Sequence, residues 1–178
     1  MRRTHGTFRT DLTALLPRLR RFGYALAGNA ADGDDLVQDA LEKALKREDQ
    51  FQPGTRLDSW MYRIIQTTWI DKTRADKRKR KVFTAMDGVE RIAGEDGRRT
   101  FDTRIQLSKA REAMDVLSED ERAVLTLVAI EEFTYRETAE TLEIPIGTVM
   151  SRVARAHSKL AATLATEDPK NDRKEASK

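Results

Sequence analysis

The chain contains no cysteine. Disulfides, thiol nucleophiles and thiolate-bound zinc are therefore all excluded. No apolar run is long enough to cross a bilayer. Arg2 and Arg3 stand near the start, but no apolar segment follows them, so this end does not read as a secretory signal. The expectation is a cytoplasmic protein with no membrane insertion. Internal repeats and strand-like alternation are missing too, which points to an all-α chain. Net charge is also scarce: +3 in 178 residues, although 35% of them are charged. The information therefore lies in where the charges sit. Residues 32–49 carry seven acids against three bases, and residues 72–81, KTRADKRKRK, carry seven bases against one acid. An acidic surface followed by a basic one suits two different partners, or simply two solvated helix faces.

Apolar residues recur at helical spacing. Leu12, Leu15, Leu16, Leu19, Phe22 and Leu26 form one stripe, predicting a helix over 10–27 that Gly28 and Asn29 end. Leu36, Val37, Ala40, Leu41, Ala44 and Leu45 form a second over 33–47. After the turn QPGT at 52–55, a third helix starts near Asp58 with Trp60, Met61, Ile64 and Ile65 inward, and runs to about Arg78. The pattern fades over 82–104, where three glycines and many charges suit a flexible linker. It returns with Leu107, Ala110, Met114 and Leu117. The length admits one domain or two small ones, and the break favours two.

Two S/T-x-x-E patterns follow. Ser118 with Glu121 predicts a helix to about Glu131, and Thr134 with Glu137 predicts another. Pro145 marks the entry to a longer helix. A two-turn helix, the turn EIP and a four-turn helix have the build of a helix-turn-helix, whose second helix enters the DNA major groove. Thr148, Ser151, Arg152, Arg155 and Lys159 share one line of that helix, and Val149, Val153, Ala156 and Leu160 lie along another. Thr148 and Ser151 lie where side chains reach base edges. Arg152 and Arg155 suit guanine or phosphate, and Lys159 suits backbone. An αα-hairpin with a solvated basic face fits the same pattern. The turn residue is Glu143 where such turns often use glycine, and a positive φ there costs roughly 1 kcal/mol.

These residues resemble a known family. LSEDERAVLTLVAIEEFTYRETAETLEIPIGTVMSRVARAHSKL is similar to region 4 of bacterial sigma factors, closest to the extracytoplasmic-function group. DGDDLVQDALEKALK resembles region 2.2, and LDSWMYRIIQTTWIDKTRADKRKRK resembles regions 2.3 and 2.4. The resemblance implies region 2 over 10–81, a linker over 82–106, region 4 over 107–164 and a disordered tail over 165–178. It implies an alternative sigma factor that binds core RNA polymerase and does no bond chemistry of its own.

It also implies site residues. Asp34, Asp35, Leu36, Gln38, Asp39 and Glu42 match the positions that dock on the polymerase β′ clamp helices, and the β subunit is a further contact. Trp60, Tyr62, Arg63, Gln66, Trp69, Lys72, Arg74, Lys77 and Arg78 match the region that opens the −10 element. There an extruded base sits in a pocket, with the loop at 51–58 as one wall. Aromatic platforms beside cations suit unpaired bases. Trp60 and Trp69 also belong to the apolar stripe, whereas Tyr62 and Arg63 point away from it. Gln66-Thr67 stands where many relatives have Arg-Asn, which leaves the −10 base preference unread. Thr148, Ser151, Arg152, Arg155 and Lys159 match the −35 reader. An anti-sigma factor is the further implied partner, and no cofactor or metal is implied.

Rival functions are a stand-alone helix-turn-helix regulator, a metal-dependent nuclease using the acids at 32–39, and a response-regulator-like mimic. The first leaves the acidic and aromatic–basic helices unexplained. The second has no histidine nearby and too few converging oxygen ligands. The third needs a receiver domain for which there is no room.

Overall fold

The computed structural model describes residues 5–83 and 114–167. Six helices, none of them joined by a strand, make up the described residues: α1 (His5–Ala27), α2 (Ala30–Lys46), α3 (Leu57–Phe83), α4 (Glu119–Leu125), α5 (Tyr135–Leu142) and α6 (Ile146–Glu167). A 3-10 turn, Glu48–Gln50, follows α2, and a π-helical turn, Thr126–Ile130, extends α4. The expected linker at 82–106 and tail at 165–178 lie outside the described residues, except that α3 runs on to Phe83 and α6 to Glu167. The chain divides into two compact units. One holds α1 to α3; the other holds α4, α6 and α5 as far as Ala139.

In the first unit the leucine stripe of α1 supplies Leu12, Leu19, Phe22 and Leu26 to the core, and α2 supplies Leu36, Val37, Ala40 and Ala44. Gly28, at φ 77°, closes α1 by donating to the Tyr24 carbonyl at 2.9 Å. Asn29 then caps α2, its side-chain oxygen accepting from the Asp32 amide at 2.9 Å. The two helices pack closely because Gly23 faces Gly33. A Cβ on Gly23 would lie 2.6 Å from Val37 Cγ2 and 2.9 Å from the Gly33 carbonyl oxygen.

Helix α3 packs on both α1 and α2, so its buried arc is wider than a single stripe. Met61, Tyr62 and Ile65 are fully buried, and Leu57, Ile64, Gln66, Thr68 and Trp69 nearly so. The Tyr62 ring meets Phe22 edge-on with centroids 4.9 Å apart. Phe8, Phe51 and Trp60 form a second aromatic group, with centroid separations of 5.7, 5.4 and 6.1 Å. Phe8 and Phe51 are buried, and a ring so buried contributes about 1.5–3 kcal/mol.

The second unit depends on its turns. Ser118 and Glu121 form the complete capping box at the start of α4. The expected helix to Glu131 changes character after Leu125: the Glu131 amide reaches back five residues to the Thr126 carbonyl at 3.0 Å. Glu132, at φ 58°, turns the chain, and Phe133 buries its ring. Thr134 and Glu137 form a second capping box at α5, with bonds of 2.8 and 3.2 Å. Glu143 sits at φ 52°, the left-handed geometry that the helix-turn-helix turn demands. The Pro145 carbonyl accepts from the Thr148 and Val149 amides at 2.8 and 3.2 Å and starts α6. Leu117, Leu125 and Ala156 pack together, with Met114 and Leu160 against them.

Candidate nucleic-acid interface

Val149, Val153 and Ala156 are buried, which fixes the rotation of α6. At 100° per residue the side opposite this stripe carries Gly147, Ser151, Ala154, Arg155 and Ser158, all exposed. The outward face is thus built mostly of small side chains that let a helix approach a groove closely. Thr148, Arg152 and Lys159 lie on one flank. Ile146 and Met150, both about half exposed, lie on the other. Met150 is a candidate contact that the search for polar residues passed over. Its exposure is not visible in the sequence until the buried stripe is placed.

The cations on the first flank are not loose. Arg152 Nη2 donates to Asp120 Oδ2 at 2.5 Å, and the Arg152 side chain keeps only 17% of its surface exposed. Lys159 Nζ donates to Glu121 Oε2 at 2.7 Å. Arg155 Nε lies 3.8 Å from Glu121 Oε1, with most of its side chain in solvent. Ser151 Oγ donates to the Thr148 carbonyl at 3.0 Å. Both acids belong to the first turn of α4. Burial pushes the Glu121 carboxyl upward, but hydrogen bonds from Lys159 and Ser118 and the Lys159 charge outweigh it, so its pKa falls below the ordinary glutamate value.

In the first unit, Arg63, Arg74, Lys77 and Arg78 are exposed along α3, and Lys72 is half-buried. A groove of about 480 Å³ opens between α2 and α3, lined by Lys43, Arg47, Gln50, Trp60, Arg63 and Thr67 among others. It offers three cations and one indole. The turn at 52–55 is not part of its lining. Phe51 is folded into the aromatic group, and Thr55 closes the turn on the Gln52 carbonyl, at 3.2 Å from its amide and 2.7 Å from its hydroxyl.

Four expected site residues are corrected. Tyr62 does not point away from the core; it is fully buried against Phe22. Gln66 and Trp69 are buried as well, and Leu36 is fully buried in its own unit, so none of the four presents a surface to a partner here. For Tyr62 and Gln66 the cause is that α3 faces two neighbours, and a helix so placed buries positions that a single stripe leaves outside; Leu36 and Trp69 lie on the apolar stripes themselves, which their burial follows. Trp60, assigned inward from its spacing to Ile64, is only partly covered and borders the groove.

Asp35, Gln38 and Glu42 are exposed on α2, as an acidic edge requires. Asp34 accepts from Arg20 Nε and Tyr24 Oη, both at 2.8 Å, and these two hydrogen bonds hold its pKa below the ordinary aspartate value. Asp39 pairs with Lys72 of α3 at 2.7 Å. Asp34 and Asp39 answer cations, and the acids of this edge do not converge on a shared point. Among the described residues, no group of three acids or histidines is placed to hold a metal ion, and no helix is long and apolar enough to cross a membrane.

Residues 12–66 match the family described as the Sigma2 domain of PhyR, and residues 107–160 match Sigma-70, region 4. The chain is 38% identical over 160 residues to the ECF RNA polymerase sigma factor EcfG of Rhodopseudomonas palustris, covering 89% of this chain and 85% of the relative. Its fold is similar to that of the sigma factor RpoE of Bartonella quintana, solved with the anti-sigma factor NepR. The TM-score there is 0.76 at 29% identity, over 89% of this chain and 97% of the other. CnrH, solved with the cytosolic domain of CnrY, shares the fold at 23% identity with a TM-score of 0.67, over 92% of this chain and 90% of that one.

Proposed function

This chain belongs to the extracytoplasmic-function group of RNA polymerase sigma factors and is an alternative sigma factor directing transcription initiation, and from that premise we propose how its residues divide the work. Region 2, over 10–81, docks on core polymerase through Asp34, Asp35, Gln38, Asp39 and Glu42 and opens the −10 element along α3. Region 4, over 107–164, reads the −35 element with α6. The polymerase supplies the bond chemistry. The protein works in the cytoplasm, where promoter DNA and polymerase are.

The single observation that carries this reading is α6. It follows a helix-turn-helix turn and turns Ser151 and Arg155 outward between two flanks. An arginine at that place donates two hydrogen bonds to guanine, or one pair to phosphate. For the −10 step, the groove beside Trp60 and Arg63 combines an aromatic edge with cations, as an unpaired base requires. Arg74, Lys77 and Arg78 extend from it along the same helix and suit duplex phosphates. The acidic edge of α2 suits a basic partner surface, giving steering and register more than raw affinity. An anti-sigma factor is the further partner, because the RpoE structure of Bartonella quintana holds one. A stand-alone regulator is not favoured, since it leaves the first unit without a role.

The test is runoff transcription with purified core enzyme. Arg155→Ala is expected to weaken −35 binding by about 1–3 kcal/mol if the contact is bidentate, with core binding unchanged. Asp35→Lys with Glu42→Lys is expected to impair core pull-down while circular dichroism stays native. Holoenzyme that starts transcription normally with both sets of changes would overturn these assignments.

A further inference from the structure

We infer that Asp120 and Glu121, in the first turn of α4, are positioning residues for promoter recognition: they hold Arg152 and Lys159 to one flank of α6 and withhold them from indiscriminate phosphate contact. The inference rests on the −35 reading above. Its geometry is local to the second unit. Asp120 reaches Arg152 at 2.5 Å, and Glu121 reaches Lys159 at 2.7 Å.

The two acids do this with different strength. Glu121 is almost wholly buried, its side chain 6% exposed, and its Oε2 also accepts the Ser118 amide at 2.8 Å. Lys159 leaves only by taking its closest cation from a buried carboxylate, so that pair is the firmer of the two. Asp120 is about half exposed and belongs to no cap. The Arg152 pair is therefore exchangeable, and a carboxylate in water releases its partner at little cost. A long free cation on a helix beside DNA finds any phosphate, whatever the sequence, because phosphate contact carries no base information. Held against Asp120, Arg152 contributes little to random duplex. The outward residues Ser151, Ala154 and Arg155 are then left to discriminate.

The measurement uses holoenzyme reconstituted with the full chain, on promoter duplex and on random duplex, over a salt series. Asp120→Asn is expected to raise affinity for random duplex and to lower the promoter-to-random ratio about two- to fivefold, the range an exposed ion pair commands. The log–log salt slope on random duplex should steepen by up to about 0.9, one added phosphate contact. Asp120→Glu should restore both. Glu119→Gln removes the same charge one residue earlier and should change neither. Arg152→Gln breaks the pair without touching α4, and should leave random-duplex affinity and slope as they are. Adding Asp120→Asn to Arg152→Gln should then have no effect.

Equal changes from Asp120→Asn and Glu119→Gln, or an Asp120→Asn effect that survives loss of Arg152, would overturn the inference. So would a drop in random-duplex affinity with Arg152→Gln. A holoenzyme that protects the −35 element in a footprint while failing these tests loses only the positioning role. One that leaves the −35 element unprotected loses the reading of α6 as well.

Discussion

The two units solve the helix problem in opposite ways. The first uses three long helices of 23, 17 and 27 residues, each stabilised by a broad buried face. The second includes helices of seven and eight residues, which are marginal on their own. It compensates at the ends: a capping box on α4, another on α5, and a left-handed residue at Glu132. Long helices are held by what they bury, short ones by how they begin and end. Mutations should respect that division.

The largest effect is expected at Tyr62. Because its ring is core, Tyr62→Ala should destabilise the first unit by about 3–5 kcal/mol. Urea denaturation followed by tryptophan fluorescence reports it, since Trp60 and Trp69 lie in that unit. A folded, fully stable Tyr62→Ala protein would return the residue to the surface. Next comes Gly23→Ala. The added methyl meets a carbonyl oxygen at 2.9 Å, and a better helix propensity only partly offsets the strain, for a net loss of about 2 kcal/mol. Thermal melting should show the loss confined to the first unit.

Ser118→Ala tests the other side of the comparison. It removes one half of a capping box and should cost about 1 kcal/mol, in the second unit alone. The smallest effect concerns acid. Asp58 is pushed up by burial, but Arg56, the Ser59 amide and Arg18 outweigh that and its pKa falls; Glu121 behaves likewise in the other unit. A carboxylate depressed in the folded state stabilises above its unfolded pKa, near 4 for these groups. That contribution disappears as pH falls through the folded value. Asp58→Asn should therefore flatten the acid-side decline of the first unit and leave that of the second. A decline unchanged by the substitution would mean that other carboxylates carry it.

This contrast also explains what could be read in advance. Several ends were legible: Gly28 closes α1, both S/T-x-x-E patterns make their boxes, and Pro145 opens α6, whereas the stripe from residue 33 missed the start of α2 at Ala30 and its Asn29 cap. These features depend on a few neighbouring residues. The positive φ at Glu143 follows from the same local logic. Faces were less legible. The stripe on α3 gave Met61, Ile64 and Ile65 correctly, but it exchanged Tyr62 with Trp60, because spacing alone does not say that α1 and α2 both lean on that helix. Gln66 fell to the same cause, whereas Leu36 and Trp69 lie on the stripes themselves and were buried as the spacing implies. The cations of α6 were legible as a line, but their partners Asp120 and Glu121 stand more than thirty residues earlier in the chain, and no local pattern joins them.

The Asp39–Lys72 pair joins a residue of the acidic edge to one of the aromatic–basic helix across 2.7 Å. The two surfaces therefore meet at this point. A substitution at Asp39 alters the charge that Lys72 feels, and a substitution at Lys72 leaves Asp39 without its counterion. Measured phenotypes of the two positions should show epistasis: a reversed pair, Asp39→Lys with Lys72→Asp, should be milder than either change alone. Variation at one of these sites is then constrained by the other, and under the roles proposed above a change in polymerase docking at Asp39 would carry a change in promoter opening at Lys72.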